Sequence, residues 1–135
     1  MMKKIVSLFA YLFIAVIPLS AQDDCKRLFE PVTEAIRKTD VLAFLEYFAE
    51  TVACDILGEE QKYSKGQARQ AIQKFFTDNS DVRSFTIRHC SGKELLKYAI
   101  GNLTTVNGSR YRLTIFASVD NGKLKVQQLR ITRDE

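Results

Sequence analysis

The sequence predicts an α+β domain, with helices packed on one side of a curved antiparallel sheet. Three observations predict it: helical apolar spacing between Pro31 and Phe76, strict alternation from Phe85 onward, and glycine-containing turns between the alternating segments. Pro31 suits the first turn of a helix, where its missing N–H costs nothing, and Val32, Ala35 and Ile36 share a face of it. Asp40 can cap a second helix with a stripe of Leu42, Leu45 and Phe48, widened by Phe44 and Ala49. Val52, Cys54 and Ile56 then alternate with Ala53, Asp55 and Leu57 as a strand. Residues 58–60 make a polar turn and 61–63 a short return strand. Ser64 and Gln67 form a capping box for a third helix. Its Ala68, Ala71, Ile72, Phe75 and Phe76 fall on one face before polar residues 77–81 end it.

A four-strand meander follows. Phe85, Ile87 and His89 share one phase of its first strand, which a turn at Gly92 closes. Leu96, Tyr98 and Ile100 share a face of the second. Asn107 and Gly108 suit a two-residue type I′ hairpin, in which both central residues need positive φ. Tyr111, Leu113, Ile115, Ala117 and Val119 alternate on the third strand, and Asp120, Asn121 and Gly122 turn the chain again. In the last strand Leu124 and Val126 are out of phase with Leu129 and Ile131, and a bulge near Gln127 and Gln128 reconciles them.

At 135 residues, 46% hydrophobic and 27% charged, the chain has the size and composition of one globular domain. Three Cys exclude a dense disulfide scaffold, and a single His excludes His-pair metal sites and two-His mechanisms. No metal and no cofactor is expected. Lys3 and Lys4 precede an apolar run over residues 5–17, then Pro18 and a small Ala21. That is the pattern of a secretory leader, residues 1–21, cut after Ala21 to leave a domain of residues 22–135 in the periplasm or outside the cell. The run of 13 residues falls short of the about 20 that span a bilayer, so no stable span is expected after cleavage. Gln22, Asp23 and Asp24 before Cys25 do not suit a lipid-attachment site. Cleavage lowers the net charge from +4 to +2, and what remains is divided: −4 over residues 22–81 and +6 over 82–135.

The element order resembles the nuclear transport factor 2-like superfamily, the cone-shaped α+β fold shared with ketosteroid isomerase and scytalone dehydratase, over about residues 30–133. Local segments look closer to a family of short exported proteins of unknown function from Bacteroidetes-type bacteria. They are Tyr63 through Ala68, Phe75 with Phe76, Tyr98 through Gly101 with Leu103 and Thr104, and Gln128 through Ile131. The resemblance implies the cone, with three N-terminal helices, and an envelope location. It does not select a reaction, because the fold hosts enzymes, ligand binders and interaction modules alike.

Candidate sites follow from residue type. His89, the sole imidazole, continues the phase of Phe85 and Ile87 and so could point into the cone, as a base or as a hydrogen-bonded strand-end residue. Asp55 could act as a base at the cone mouth, or stand exposed on an edge strand. Tyr47, Tyr63, Tyr98 and Tyr111 could line a pocket with His89, or simply belong to the core. The isomerase-like pattern needs a second carboxylate on the later core strands, and the dehydratase-like pattern needs two His; both are missing. Arg110, Arg112, Lys123, Lys125, Arg130 and Arg133 on the terminal hairpin could form a basic patch for an anionic partner, or guard the sheet against aggregation. Nucleic acid is not an expected partner, for want of an aromatic-spaced motif. Cys25, Cys54 and Cys90 allow three pairings with one thiol left over. Cys54 with Cys90, both on expected strands, is the pair to test first, and free buried thiols are the alternative. The expectation for function is a non-enzymatic exported module that binds a small apolar ligand or a protein partner, a second copy included. The alternative is a pocket lyase or isomerase with Asp55 or His89 as base.

Overall fold

A computed structural model of the chain describes residues 17–134. Residues 1–16, most of the expected leader, lie outside the described residues. Helix α1 (Ile17–Leu28) runs through the expected cleavage point. Helix α2 (Glu30–Arg37) carries Pro31 in its first turn and buries Val32, Ala35 and Ile36 as the spacing requires. In α3 (Val41–Leu45) the Asp40 side chain accepts the Ala43 N–H at 3.1 Å, the expected cap. This helix is a single turn, shorter than its apolar stripe suggests. It buries Val41, Phe44 and Leu45, while Leu42 is exposed and Phe48 and Ala49 already belong to a strand.

That strand, β1 (Phe48–Ile56), turns through Leu57 and Gly58 into β2 (Glu59–Ser64). Both turn residues have positive φ, 54° and 92°, as a type I′ hairpin requires. Helix α4 (Lys65–Asn79) opens on the full capping box: Ser64 Oγ accepts from Gln67 N, and Gln67 Oε1 accepts from Ser64 N. Ser64→Ala removes half of it and is expected to cost about 1 kcal/mol of stability, read from the urea midpoint.

The meander comprises β3 (Val82–Lys93), β4 (Leu96–Thr105), β5 (Arg110–Asp120) and β6 (Lys123–Arg133). The sheet order is β2-β1-β6-β5-β4-β3. β6 lies parallel to β1, so the sheet is antiparallel except for the one pair that joins the meander to the first hairpin. The bulge expected in the last strand is present: Phe116 pairs with Gln128 and Ala117 with Val126, leaving Gln127 as the extra residue.

Three local expectations change. The β3–β4 turn falls at Glu94 and Leu95 rather than at Gly92, which is inside β3. The loop with Asn107 and Gly108 spans residues 106–109, and only Gly108 has positive φ. There the Asn107 side chain accepts the Ser109 N–H and the Thr105 hydroxyl, so it stabilises a longer turn instead of a two-residue one. The two-residue geometry occurs at Asn121 and Gly122, φ 51° and 75°.

The helices cover one face of the sheet. Phe29, Ile36, Ile72, Phe85, Tyr111 and Leu129 are among the side chains fully or almost fully removed from water there. The edge of β3 is tied to the helical layer: Arg37 Nε donates to the Phe85 carbonyl at 3.0 Å, and Val82 N donates to Thr39 Oγ1 at 2.9 Å. Those bonds occupy groups that an exposed edge would offer to another chain. At the other edge β2 carries Glu59, Glu60 and Lys62 in solvent. The opposite face of the sheet is not covered by any described helix.

Candidate functional site

The expected pocket residues do not meet in one place. Tyr111 is core: its ring packs edge-on to Phe75 at 5.0 Å, and its hydroxyl donates to Asn79 Oδ1 at 2.6 Å. Tyr47 is half-buried, and its backbone carbonyl accepts from Val126 N. Tyr63 lines a crevice of about 260 Å³ between the first hairpin and α4, with Ile56, Ala71 and Phe75 and a rim of Glu59, Lys74 and Asp78. Tyr98 and His89 are on the open face of the sheet.

His89 is there because of a register shift. β3 pairs Ile87 with Gly101 but His89 with Ile100, a bulge that leaves both Arg88 and His89 exposed and returns Cys90 to the core. The expected phase with Phe85 and Ile87 is therefore broken, and the imidazole points away from the cone. Its Nε2 shares a 3.1 Å hydrogen bond with the Tyr98 hydroxyl, the donor being set by the tautomer.

Asp55 is neither a free base nor on an edge strand, since β1 is flanked by β2 and β6. Its Oδ1 accepts the Gly58 N–H at 3.1 Å, bracing the positive-φ turn, and Oδ2 lies 3.6 Å from Arg130 Nε. Both oxygens are thus engaged in holding the hairpin.

The six basic residues do not form one patch either. Arg110 begins β5 and Lys123 on β6 pairs with Asp120 at its other end, which puts them roughly 30 Å apart along the strands. Arg112 faces Asp134 at 3.8 Å, Lys125 faces Asp120 at 3.8 Å, Arg130 faces Asp55, and the Arg133 guanidinium lies 5.9 Å over the Tyr111 ring. Such exposed pairs contribute little to stability, but they cancel charge locally.

The disulfide joins Cys25 to Cys90, not Cys54 to Cys90. Sheet order gives the reason. Three strands separate β1 from β3, which places Cys54 about 19 Å along the sheet from Cys90, whereas the Cα atoms of Cys25 and Cys90 are 5.8 Å apart. Cys54 is free and buried, and burial pushes its thiol up to about 11 from an ordinary 9.0. It should resist alkylation in the native protein at pH 8 and react on unfolding. Between pH 9 and 11 the unfolded thiol loses its proton while the folded one keeps it, so stability falls as pH rises. The loss is expected to reach about 2–3 kcal/mol, and urea titrations of Cys54→Val should lack it. No group of three or more His, Cys, Asp or Glu suited to a metal occurs among the described residues.

What the structure does bring together is an apolar cluster on the open face. Across β4 and β5, Tyr98 pairs with Phe116, Ile100 with Thr114 and Leu96 with Ser118. Ring centroids run from His89 to Tyr98 at 5.5 Å and on to Phe116 at 5.7 Å. Leu96 is 69% exposed, Leu95 64% and Phe116 41%. Phe116 carried a signal in the sequence: it is the one large apolar residue in the outward phase of β5.

Residues 29–132 match the model of a family described as a domain of unknown function, DUF4783. A DUF4783 family protein from Bacteroides ovatus superposes with a TM-score of 0.71 at 26% identity, over 78% of this chain and 94% of that one. One from Bacteroides fragilis gives 0.69 at 28% identity, over 77% and 96%. A nuclear transport factor 2-like protein of unknown function from Shewanella baltica shares the fold alone, with a TM-score of 0.62 at 11% identity over 82% and 91%. No curated protein matches the sequence.

Proposed function

This chain belongs to the DUF4783 family, with a nuclear transport factor 2-like fold, and we propose that it is an exported, non-enzymatic interaction module that pairs with a second copy of itself through the open face of its sheet. The observation that carries this is the cluster of exposed Leu96 and Phe116 with half-buried Tyr98 and Ile100 on that face. Contiguous exposed apolar surface is the mark of an interaction site. Six strands about 4.8 Å apart and roughly 30 Å long give a face on the order of 800 Å², the area one partner contributes to a standard interface. The cluster's own copy is a fitting occupant because a two-fold axis lays this apolar patch on an identical one. On this face Arg130 pairs with Asp55 and Lys125 with Asp120, which lowers the like charge a two-fold axis superimposes, while Arg88, exposed beside His89, has no acidic partner among the described residues.

Acid–base chemistry has little support beside it. Asp55 is committed to the Gly58 turn and Arg130, His89 lies on the opposite side of the sheet from the concave face, and the Tyr111 hydroxyl is committed to Asn79. The concave face is occupied by Tyr111, Phe75, Phe85 and Ile115 rather than by convergent polar groups.

Export is supported by the leader pattern of residues 1–21 and independently by the disulfide, which suits an oxidising compartment. Sedimentation velocity over a concentration series tests the pairing. A dimer at micromolar concentration is the expected result, and a monomer at several hundred micromolar overturns it. Intact mass of protein recovered from the envelope fraction tests export, with a chain starting at Gln22 expected.

A further inference from the structure

We propose that the Cys25–Cys90 disulfide is a redox-released strap, which a dithiol reductant opens to free residues 22–27 while the rest of the domain stays folded. The inference rests on the export reading above, which makes Gln22 the first residue of the mature chain.

Between Gln22 and Leu28 only Cys25 is buried; Asp23, Asp24, Lys26 and Arg27 are exposed, and Gln22 and Leu28 are half-buried. The Arg27–Asp24 pair, 3.8 Å apart, has both side chains 76% exposed or more, so it holds nothing in place. Seven residues are too few to stay helical by themselves. Leu28 packs against the core, so the disulfide is the one strong attachment of residues 22–27. Complete burial starts at Phe29, which is 0% exposed, and the family match starts at the same residue.

The bond is approachable. A surface recess of about 450 Å³ is lined by both cysteines with Gln22, Asp24, Leu28 and Lys97. Cys25, 8% exposed, is the more open residue of the pair; Cys90 is 1% exposed. A thiolate of the dithiol attacks Cys25 Sγ, the S–S bond breaks, and Cys90 leaves as a thiolate that takes up a proton. The reagent's second thiol then displaces Cys25 from the mixed disulfide. The protein gains two electrons and two protons, and the dithiol becomes a cyclic disulfide. Next to Cys90 on β3 stands Ser91, the cross-strand partner of Tyr98, so the strap borders the proposed pairing face.

The test uses protein from the envelope fraction, digested by trypsin with and without dithiothreitol. Intact mass beforehand gives the N-terminus and the disulfide state. Reduction is expected to speed cleavage after Lys26 and Arg27 at least about tenfold while a fragment beginning near Leu28 persists. Cys25→Ser, which leaves Cys90 intact, should show the fast cleavage without reductant. Two results overturn the strap: unchanged cleavage in protein whose mass has risen by two hydrogen atoms, or digestion of the whole domain on reduction. A mass that begins at Met1 overturns the export reading instead, and the two digestion arms then decide the strap on their own.

Discussion

Gly101→Val is expected to destabilise the domain by about 3 kcal/mol, at the upper end of what overpacking costs. A Cβ at Gly101 would stand 2.5 and 2.6 Å from two ring carbons of Phe85 and 3.1 Å from the Thr86 carbonyl oxygen. The ring has no free direction to retreat, because Phe85 is 2% exposed and its own carbonyl is held by Arg37. The glycine is thus a seat for Phe85 rather than a point of backbone freedom; its φ is not among the positive ones. Contrast Gly58, Gly108 and Gly122, where an added Cβ meets nothing within 4 Å but φ is +92°, +91° and +75°. Alanine there costs only the backbone strain, about 1 kcal/mol. Urea unfolding of Gly101→Val and Gly122→Ala, and of Gly101→Ala and Phe85→Leu singly and together, separates these effects. The smaller ring-free side chain should recover part of the loss, giving a cycle that is not additive. A Gly101→Val protein within 1 kcal/mol of the parent would show that the ring and the strand are not locked together.

The same pair explains why β4 was legible only in part. Its inward positions are Ala99, Gly101, Leu103 and Thr105, and its outward ones include Leu96, Tyr98 and Ile100. Gly101 is small because the Phe85 ring fills the volume above it, and beside it the larger Tyr98 and Ile100 mark the wrong face. Features set by near neighbours in sequence were readable: the Asp40 cap, the Ser64–Gln67 box, and the Gln127 bulge that a phase change betrays. Features set by distant segments were not. The β3 bulge that turns His89 outward leaves no signature beyond a misleading phase, and the disulfide partner of Cys90 depends on strand order and on a helix docked beside the sheet edge. Leu57 and Gly58 form a type I′ turn without the usual Asn at the first position, and the Asp55 carboxylate on the Gly58 N–H helps explain how that turn is held.

Leu96→Glu combined with Phe116→Glu is expected to abolish pairing and leave a folded monomer. Each side chain occurs twice in a two-fold interface, so every substitution acts twice. If burying the pair contributes about 2 kcal/mol per copy, as central aromatic and aliphatic anchors do, the loss doubles to about 4 kcal/mol, or roughly a thousandfold in dissociation constant. Four glutamates brought together across the axis add like-charge repulsion. The fold itself should be untouched, because Leu96 and Phe116 are 69% and 41% exposed and contribute little to the core. That separation makes the test sharp: sedimentation must change while the urea midpoint, read at concentrations where the parent is also a monomer, does not. Leu42→Glu is the control, an exposed apolar residue at 59% on α3, away from the open face. It should leave both readings as in the parent. A double variant that still sediments as a dimer would place the interface elsewhere, and equal loss of pairing in Leu42→Glu would show that exposed apolar residues in general, not this face, drive the association.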